Sequence, residues 1–142
     1  MKPIVELLKK RDSVVYHIAP TASVFDALKM LADRGVGALL VMENDVLVGV
    51  VSERDYTRKV ALEGRNSRET AVSDIMTRQV VTVGPKSGTR ACMALMSQKK
   101  FRHLPVVDGF KVIGMVSIRD IMDDIIADSD LTIEQLTSYI NS

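Results

Sequence analysis

A seven-residue motif occurs twice in this chain, and its side chains are suited to binding a nucleotide. The motif reads Gly-apolar-apolar-Ser-x-Arg-Asp and occupies residues 49–55 and 114–120. Its serine and arginine can donate hydrogen bonds to a phosphate, and its aspartate offers two acceptor oxygens to a vicinal diol such as a ribose. The candidate binding residues are therefore Ser52, Arg54, Asp55, Ser117, Arg119 and Asp120.

Both copies of the motif are expected at the junction between a strand and a helix. Each copy ends an apolar, β-branched run and leads into a segment with a helical pattern. Ligands favour the carboxyl ends of strands in α/β proteins, and the N–H groups at a helix start favour anions. A structural explanation stays open: the aspartates could serve the helix dipole, and the arginines could pair with Asp123 or Asp124.

The elements around the motif repeat as well. Residues 15–60 align with residues 80–125 without a gap. In the first repeat the pattern predicts strands at 14–18, 38–42 and 46–51, and helices at 23–34 and 54–62. In the second repeat it predicts strands at 80–83, 104–107 and 111–116, and helices at 89–100 and from the motif to 127. Each repeat is therefore predicted to be β-α-β-β-α.

The repeats divide the chain into four parts. We expect repeat 1 at residues 1–62, a linker at 63–73, repeat 2 at 74–127 and a helical tail at 128–142. The linker is assigned because residues 64–70 carry no apolar side chain. The tail has a capping-box pattern at Thr132 and Gln135 and an apolar stripe of Ile133, Leu136 and Ile140, which must pack on the body or on a second copy of the chain.

Composition narrows the class of protein. With 142 residues, of which 46% are apolar, the chain can form a sizeable core. A net charge of +1 argues against nucleic acid as a partner, although a local patch of Arg65, Arg68 and Arg78 leaves that role open. No stretch approaches the roughly 20 apolar residues that span a bilayer, and no signal-peptide core follows Met1. We therefore expect a cytoplasmic protein without a membrane segment.

The sequence contains no set of residues suited to catalysis or to metal binding. The single cysteine, Cys92, falls on an apolar helix face, where a thiol is inert. His17 and His103 have no second ligand at a useful spacing, so no metal site is expected. No Gly-x-Gly-x-x-Gly loop follows a strand. The sequence therefore favours a protein that is not an enzyme, with nucleotide hydrolysis or phosphate transfer as a minor alternative.

Two β-α-β-β-α repeats that each close with this motif resemble a pair of CBS domains, also called a Bateman module. The resemblance covers roughly residues 4–127 and extends to stand-alone bacterial CBS-pair proteins through Ser-Glu-Arg-Asp-Tyr, Gly-Arg-Asn-Ser, Arg-His-Leu-Pro-Val and Thr-Ile-x-Gln-Leu. It implies an α/β fold in which two pseudo-symmetric repeats pack sheet to sheet. It also implies a homodimer and two clefts that bind AMP, ADP, ATP, sometimes S-adenosylmethionine, and in some relatives NAD(H).

The resemblance also assigns roles to individual residues. The motif aspartates would bind ribose hydroxyls, and the motif serines and arginines would bind phosphate. The loops 21–23 and 86–88 would flank the nucleotide, and the strand starts at 36–38 and 101–103 would line the base or the phosphate. This adds six candidate residues: Ala22, Gly37, Ala38, Ser87, Arg102 and His103.

The two sites should be unequal. The first strand start offers only small apolar groups, whereas the second offers the two potential cations Arg102 and His103. Repeat 1 also has Leu40 where repeat 2 has Pro105. Two identical ligands of equal affinity are therefore not expected, and a dinucleotide in one cleft with a mononucleotide in the other is a hypothesis.

The functional prediction is a ligand sensor that signals energy or redox state to an unknown partner protein. A bound nucleotide would favour one packing of the repeats or the dimer, and the partner would read that difference. The alternative is a dimeric interaction scaffold that works without nucleotide through its tail stripe.

Overall fold

The computed structural model describes residues 2–9, 15–127 and 140. The chain forms two compact units, one of residues 15–81 and one of residues 1–14 with 82–142. Its helices are α1 (Ile4–Lys9), α2 (Val24–Arg34), α3 (Glu53–Tyr56), α4 (Thr89–Lys99) and α5 (Ile118–Ala127). Its strands are β1 (His17–Ile18), β2 (Ala38–Glu43), β3 (Val46–Ser52), β4 (His103–Asp108) and β5 (Lys111–Ser117).

The unit of residues 15–81 contains a three-stranded sheet in the order β1-β2-β3. Strand β1 runs parallel to β2, and β2 and β3 form an antiparallel hairpin. Helix α2 packs against β2 because Val24, Ala27 and Leu31 lie buried on one of its faces. Ser23 caps this helix by accepting a hydrogen bond from the Asp26 N–H at 3.0 Å.

The helix after β3 differs from the single predicted helix 54–62. It begins as α3 and continues as a π-helical turn over Thr57–Ala61. The Leu62 N–H donates to the Thr57 carbonyl, five residues earlier. This wider turn coincides with a fully buried Val60 and with a Lys59 ammonium group that donates to the Ile75 carbonyl oxygen at 2.8 Å.

The unit of residues 1–14 and 82–142 contains the antiparallel hairpin β4-β5. The strand predicted at 80–83 is wrong: only Val83 forms a bridge to β4. In the first repeat the Leu40 N–H donates to the Tyr16 carbonyl and helps to pair β1 with β2. The equivalent residue in the second repeat is Pro105, which has no N–H, so this hydrogen bond cannot form.

Each compact unit also contains the segment that precedes the other repeat in the sequence, and we call these two segments the lead segments. Helix α1 belongs to the unit of the second repeat, where the Ile4 N–H donates to the Ser87 carbonyl at 2.7 Å. Residues 71–77 belong to the unit of the first repeat, where the Val72 N–H donates to the Ala22 carbonyl at 2.8 Å. The compact units therefore do not coincide with the predicted division at 62, 73 and 127, which stays a prediction about the sequence repeats.

Within the described residues, no helix has the length and apolar character needed to cross a membrane. The predicted helical tail falls outside the described residues except for Ile140, whose side chain is exposed.

Candidate functional site

The first motif forms a capping box at the junction of β3 and α3. The Ser52 hydroxyl accepts a hydrogen bond from the Asp55 N–H at 3.2 Å. In return, Asp55 Oδ2 accepts from the Ser52 N–H at 2.9 Å and from the Ser52 hydroxyl at 3.0 Å. Serine and aspartate at this spacing fold locally in this way because each satisfies an N–H group that the helix start leaves unpaired.

The second oxygen of Asp55 is engaged by a residue that the sequence reasoning missed. The Lys59 ammonium group lies 3.2 Å from Asp55 Oδ1, and the aspartate side chain is only 14% exposed. The two residues are four positions apart, and an acid four residues before a lysine is a recognisable pairing signal on a helix. We call the strand–helix junction that carries each capping box a capped corner. Lys59 therefore belongs to the capped corner of the first repeat.

The second motif builds the same cap at the junction of β5 and α5. The Asp120 N–H donates to the Ser117 hydroxyl at 3.1 Å, and the Ser117 N–H donates to Asp120 Oδ2 at 2.8 Å. The residue equivalent to Lys59 is Asp124, which forms an ion pair with Lys2 at 3.2 Å. The two corners therefore share a backbone arrangement but differ in charge beside the motif aspartate.

The first residues of β2 and β4 lie at these corners. Ala38 pairs with Ser52 across β2 and β3, and the Gly37 carbonyl accepts from the Glu53 N–H at 3.1 Å. The second corner repeats this geometry: His103 pairs with Ser117, and the Arg102 carbonyl accepts from the Ile118 N–H at 2.9 Å. In each corner two of the first three helical N–H groups are thus used by the protein itself.

His103 has an altered affinity for protons. Burial is the main cause that lowers the pKa of His103, and the neighbouring Arg102 lowers it further. The carboxylate of Asp120 acts in the opposite direction and raises it, but the net shift is downward. The second corner therefore places a titratable imidazole beside the motif aspartate, where the first repeat has Ala38.

The two motif arginines are exposed. Across the described ranges, neither Arg54 nor Arg119 forms an ion pair, and the proposed alternative partner Asp124 pairs with Lys2 instead. A guanidinium group in this position can form a bidentate contact with a phosphate or a carboxylate from solution.

The remaining two candidates, Ala22 and Ser87, form backbone hydrogen bonds with the lead segments. The Ala22 carbonyl accepts from Val72, and the Ser87 carbonyl accepts from Ile4. The Ser87 hydroxyl accepts from the Gly84 N–H at 3.1 Å. No hydrogen bond or strand pairing within the described residues joins these loops to the capped corners. Their place in a ligand site stays a prediction.

Histidine, cysteine, aspartate and glutamate side chains are the groups that could hold a metal ion. In the part of the chain that the structure describes, no three of the His, Cys, Asp and Glu side chains lie close enough together to hold a metal ion.

The CBS domain family model matches residues 8–62 and 72–127. A protein with CBS domains from Burkholderia ambifaria is 44% identical, covers 93% of this chain and 99% of its own, and superposes with a TM-score of 0.88. The mitochondrial protein CBSX3 of Arabidopsis thaliana is 38% identical over 83% of this chain, and the match spans 60% of that protein.

A structure at lower identity shares the fold. The CBS domain pair of protein MJ0100, solved with 5′-methylthioadenosine and S-adenosyl-L-methionine, is 21% identical and superposes with a TM-score of 0.79 over 89% of this chain. The resemblance and the α/β fold class predicted from the sequence are confirmed. The chain therefore belongs to the CBS domain family and carries two CBS domains.

Proposed function

We propose that this CBS-domain pair is a sensor that binds adenosine-containing ligands and signals energy or redox state to a partner protein. The candidate ligands are AMP, ADP and ATP, with NAD(H) as a further candidate. The observation that carries the proposal is the capped corner, which occurs twice with an aspartate carboxylate held in place and an exposed arginine beside it.

The chemistry of the corner suits a nucleotide. The capping box fixes the orientation of the aspartate before a ligand arrives, which lowers the entropy cost of binding a ribose diol. The exposed Arg54 and Arg119 supply charge for a phosphate. In the second corner the exposed Arg102 adds a positive charge, which favours an anionic ligand there.

Precedent for the ligand class comes from the MJ0100 domain pair, which was solved with two adenosine compounds. Its identity of 21% supports the fold, so the ligand class is carried to this chain only as part of the proposal. Neither compound bears a phosphate. The extension to AMP, ADP and ATP rests on the arginines of the motif.

Signalling would operate by linkage. A ligand that binds one conformation more tightly shifts the population towards it, and a partner that distinguishes the conformations reads the shift.

We further propose a homodimer in the cytoplasm and no catalytic step. Sedimentation velocity tests the dimer, cell fractionation tests the location, and an assay for ATP or NADH breakdown tests the absence of turnover.

Isothermal titration calorimetry of the full chain with AMP, ATP, NADH and S-adenosylmethionine tests the ligand class. We expect micromolar binding of at least one ligand. The double variant Asp55→Ala/Asp120→Ala should lose it while circular dichroism shows that the fold survives. The control Asp33→Ala/Asp108→Ala removes the same charge from exposed positions and should bind as the unaltered chain does. Equal affinity in the first double variant would refute the assignment.

A second function is supported by the same capping boxes. Because Ser52 and Asp55 already satisfy each other, the motif could be purely structural and the protein a nucleotide-independent interaction scaffold. This reading predicts no heat with any of the four ligands in protein shown to be free of co-purified nucleotide. It also predicts that deletion of residues 128–142 removes partner binding.

A further inference from the structure

The loop before α4, which contains the candidate Ser87, is held by the N-terminal lead segment, residues 2–9. Three backbone hydrogen bonds join the two: the Thr89 N–H donates to the Lys2 carbonyl at 3.1 Å, the Ile4 N–H to the Ser87 carbonyl at 2.7 Å and the Val5 N–H to the Pro85 carbonyl at 3.1 Å. Donors on both sides make this a short antiparallel pairing. The position of the loop therefore depends on where the lead segment docks.

Lys2 also joins this pairing to helix α5. Its ammonium group donates to Asp124 Oδ1 at 3.2 Å, and the Asp124 side chain is only 11% exposed. Helix α5 begins at the second capped corner. Lys2 thus holds the loop of Ser87 through its carbonyl oxygen and α5 through its ammonium group.

The first repeat makes the same connection with different groups. Lys59, at the position equivalent to Asp124, donates to the Ile75 carbonyl oxygen at 2.8 Å. Ile75 belongs to the lead segment of residues 71–77, whose backbone donates a hydrogen bond to the Ala22 carbonyl at 2.8 Å. In both repeats the helix after the motif is tied to a lead segment, by a lysine on the helix in one and a lysine on the lead segment in the other. This recurrence favours a role for the connection itself over an incidental surface contact.

We propose that Lys2 and Asp124 are positioning residues for the ligand of the second repeat, and that binding of this ligand is coupled to docking of residues 2–9. The inference rests on the proposed function and deepens it by naming the segment through which occupancy is signalled. A ligand that contacts both the Ser87 loop and the second capped corner favours one spacing between them, and the Lys2–Asp124 pair holds that spacing in advance. Coupling is reciprocal, so the bound ligand also strengthens the docking of residues 2–9.

The first test is a double-mutant cycle on the full chain, read by calorimetry as the affinity for AMP and for ATP. Lys2→Met and Asp124→Asn should each lower the affinity about two- to fivefold, the range expected for a partly exposed ion pair. The double variant should bind no more weakly than the weaker single variant, because both substitutions break one contact. The matched control is Lys111→Met/Asp108→Asn, an exposed lysine and aspartate at the β4–β5 turn, which should leave the affinity unchanged.

Amide hydrogen exchange gives a second measurement on the same proteins, each shown to be folded by circular dichroism. Saturating AMP or ATP should slow exchange of the Ile4 and Thr89 N–H groups in the unaltered chain. In Lys2→Met and Asp124→Asn, these groups should exchange faster without ligand and be slowed less by it. A purely structural ion pair would change the exchange without ligand and leave the affinity as it was.

The outcomes separate this inference from the proposed function. Unaltered affinity in both single variants overturns the coupling and leaves the sensor intact, whatever happens to exchange. Losses of affinity that add in the double variant also overturn it, because Lys2 and Asp124 would then act through separate contacts. Absence of binding in every protein, including the unaltered chain, removes the sensor and this inference together.

Discussion

A β-carbon added to Gly49 would lie 2.7 Å from the sulfur atom of Met76, so the segment that carries Met76 packs directly on the backbone of β3. The same β-carbon would lie 2.9 Å from the carbonyl oxygen of Thr77. At Gly114 the close neighbours are the terminal methyl carbons of Leu8, at 3.0 Å. The glycine of the repeated motif is thus explained by the close packing of a lead segment against it, independently of any ligand.

Replacing these glycines by alanine should destabilise the protein to different extents. Gly49→Ala should lower the free energy of unfolding by about 1–3 kcal/mol, the usual cost of overpacking, because the Thr77 carbonyl cannot move without disturbing its pairing with Val50. Gly114→Ala should cost less, because the end of the Leu8 side chain can change its rotamer. Urea denaturation followed by circular dichroism measures both.

The control for these variants is Gly84→Ala, where the added β-carbon would meet only the Ser87 hydroxyl oxygen at 3.9 Å. This variant should match or exceed the stability of the unaltered chain, because alanine reduces the entropy of the unfolded state. If Gly49→Ala proved as stable as Gly84→Ala, the packing of Met76 on β3 would be wrong.

The repeat made most of the fold predictable from sequence. Helix α2 and the two hairpins follow from periodicity and turn residues, which are local signals. The strand at 80–83 was wrong because its formation depends on a donor in another strand, and Pro105 removes that donor. The exchange of lead segments between the compact units was likewise beyond prediction, since it depends on long-range packing of Leu8 and Met76.

The sequence allowed the candidate residues of the site to be named, but it gave less information about their hydrogen-bond and ion-pair partners. Spacing placed Ser52 and Asp55 at a helix start, but their mutual hydrogen bonds depend on the backbone angles of the cap. Lys59 lies four residues after Asp55, but it is not part of the repeated motif. Its equivalent in the second repeat is the acid Asp124, so comparison of the two repeats does not reveal it.

Removal of the second cap should weaken α5 measurably. Ser117→Ala should lower the free energy of unfolding by about 1 kcal/mol, and Ser117→Gly by only a few tenths, because glycine leaves the cap N–H groups open to water. Thermal or urea denaturation gives these values. In the cycle with Asp120→Ala, the double variant should cost less than the sum of the single variants, because both remove the same reciprocal interaction.

The matched control is Ser97→Ala, an exposed serine inside α4, which should be neutral or stabilising because alanine has the higher helix propensity. Strict additivity of the Ser117 and Asp120 effects would show that the capping box does not form in solution.

His103 should make the protein less stable in mild acid. Its pKa in the folded protein lies below the ordinary value of 6.5, mainly because of burial. As pH falls below about 6.5, the unfolded chain takes up a proton at this residue before the folded chain does, so protons favour unfolding. The contribution of His103 is therefore a loss of stability that develops from near pH 6.5 down to its folded pKa and then levels off.

Denaturation curves between about pH 7.5 and pH 5 measure this effect, and replacing His103 by glutamine should flatten the decline with acid. The variant His17→Gln, which changes the exposed histidine at the start of β1, serves as the comparison and as an aid to assigning the imidazole signals in an NMR titration. An imidazole of His103 that titrates above 6.5 in the ligand-free protein would contradict the buried placement.

Cys92 should be almost unreactive in the native protein. Its side chain lies on the buried face of α4 with 1% of its surface exposed, and burial raises the pKa of the thiol above its ordinary value of 9.0. Both effects reduce the amount of accessible thiolate. An aromatic disulfide reagent should therefore label native protein roughly a hundredfold or more slowly than protein in urea, because labelling requires opening of the fold.

Since the chain has a single cysteine, complete reaction in urea gives one thiol per chain and calibrates the assay. Rapid labelling without denaturant would mean that α4 does not pack as described.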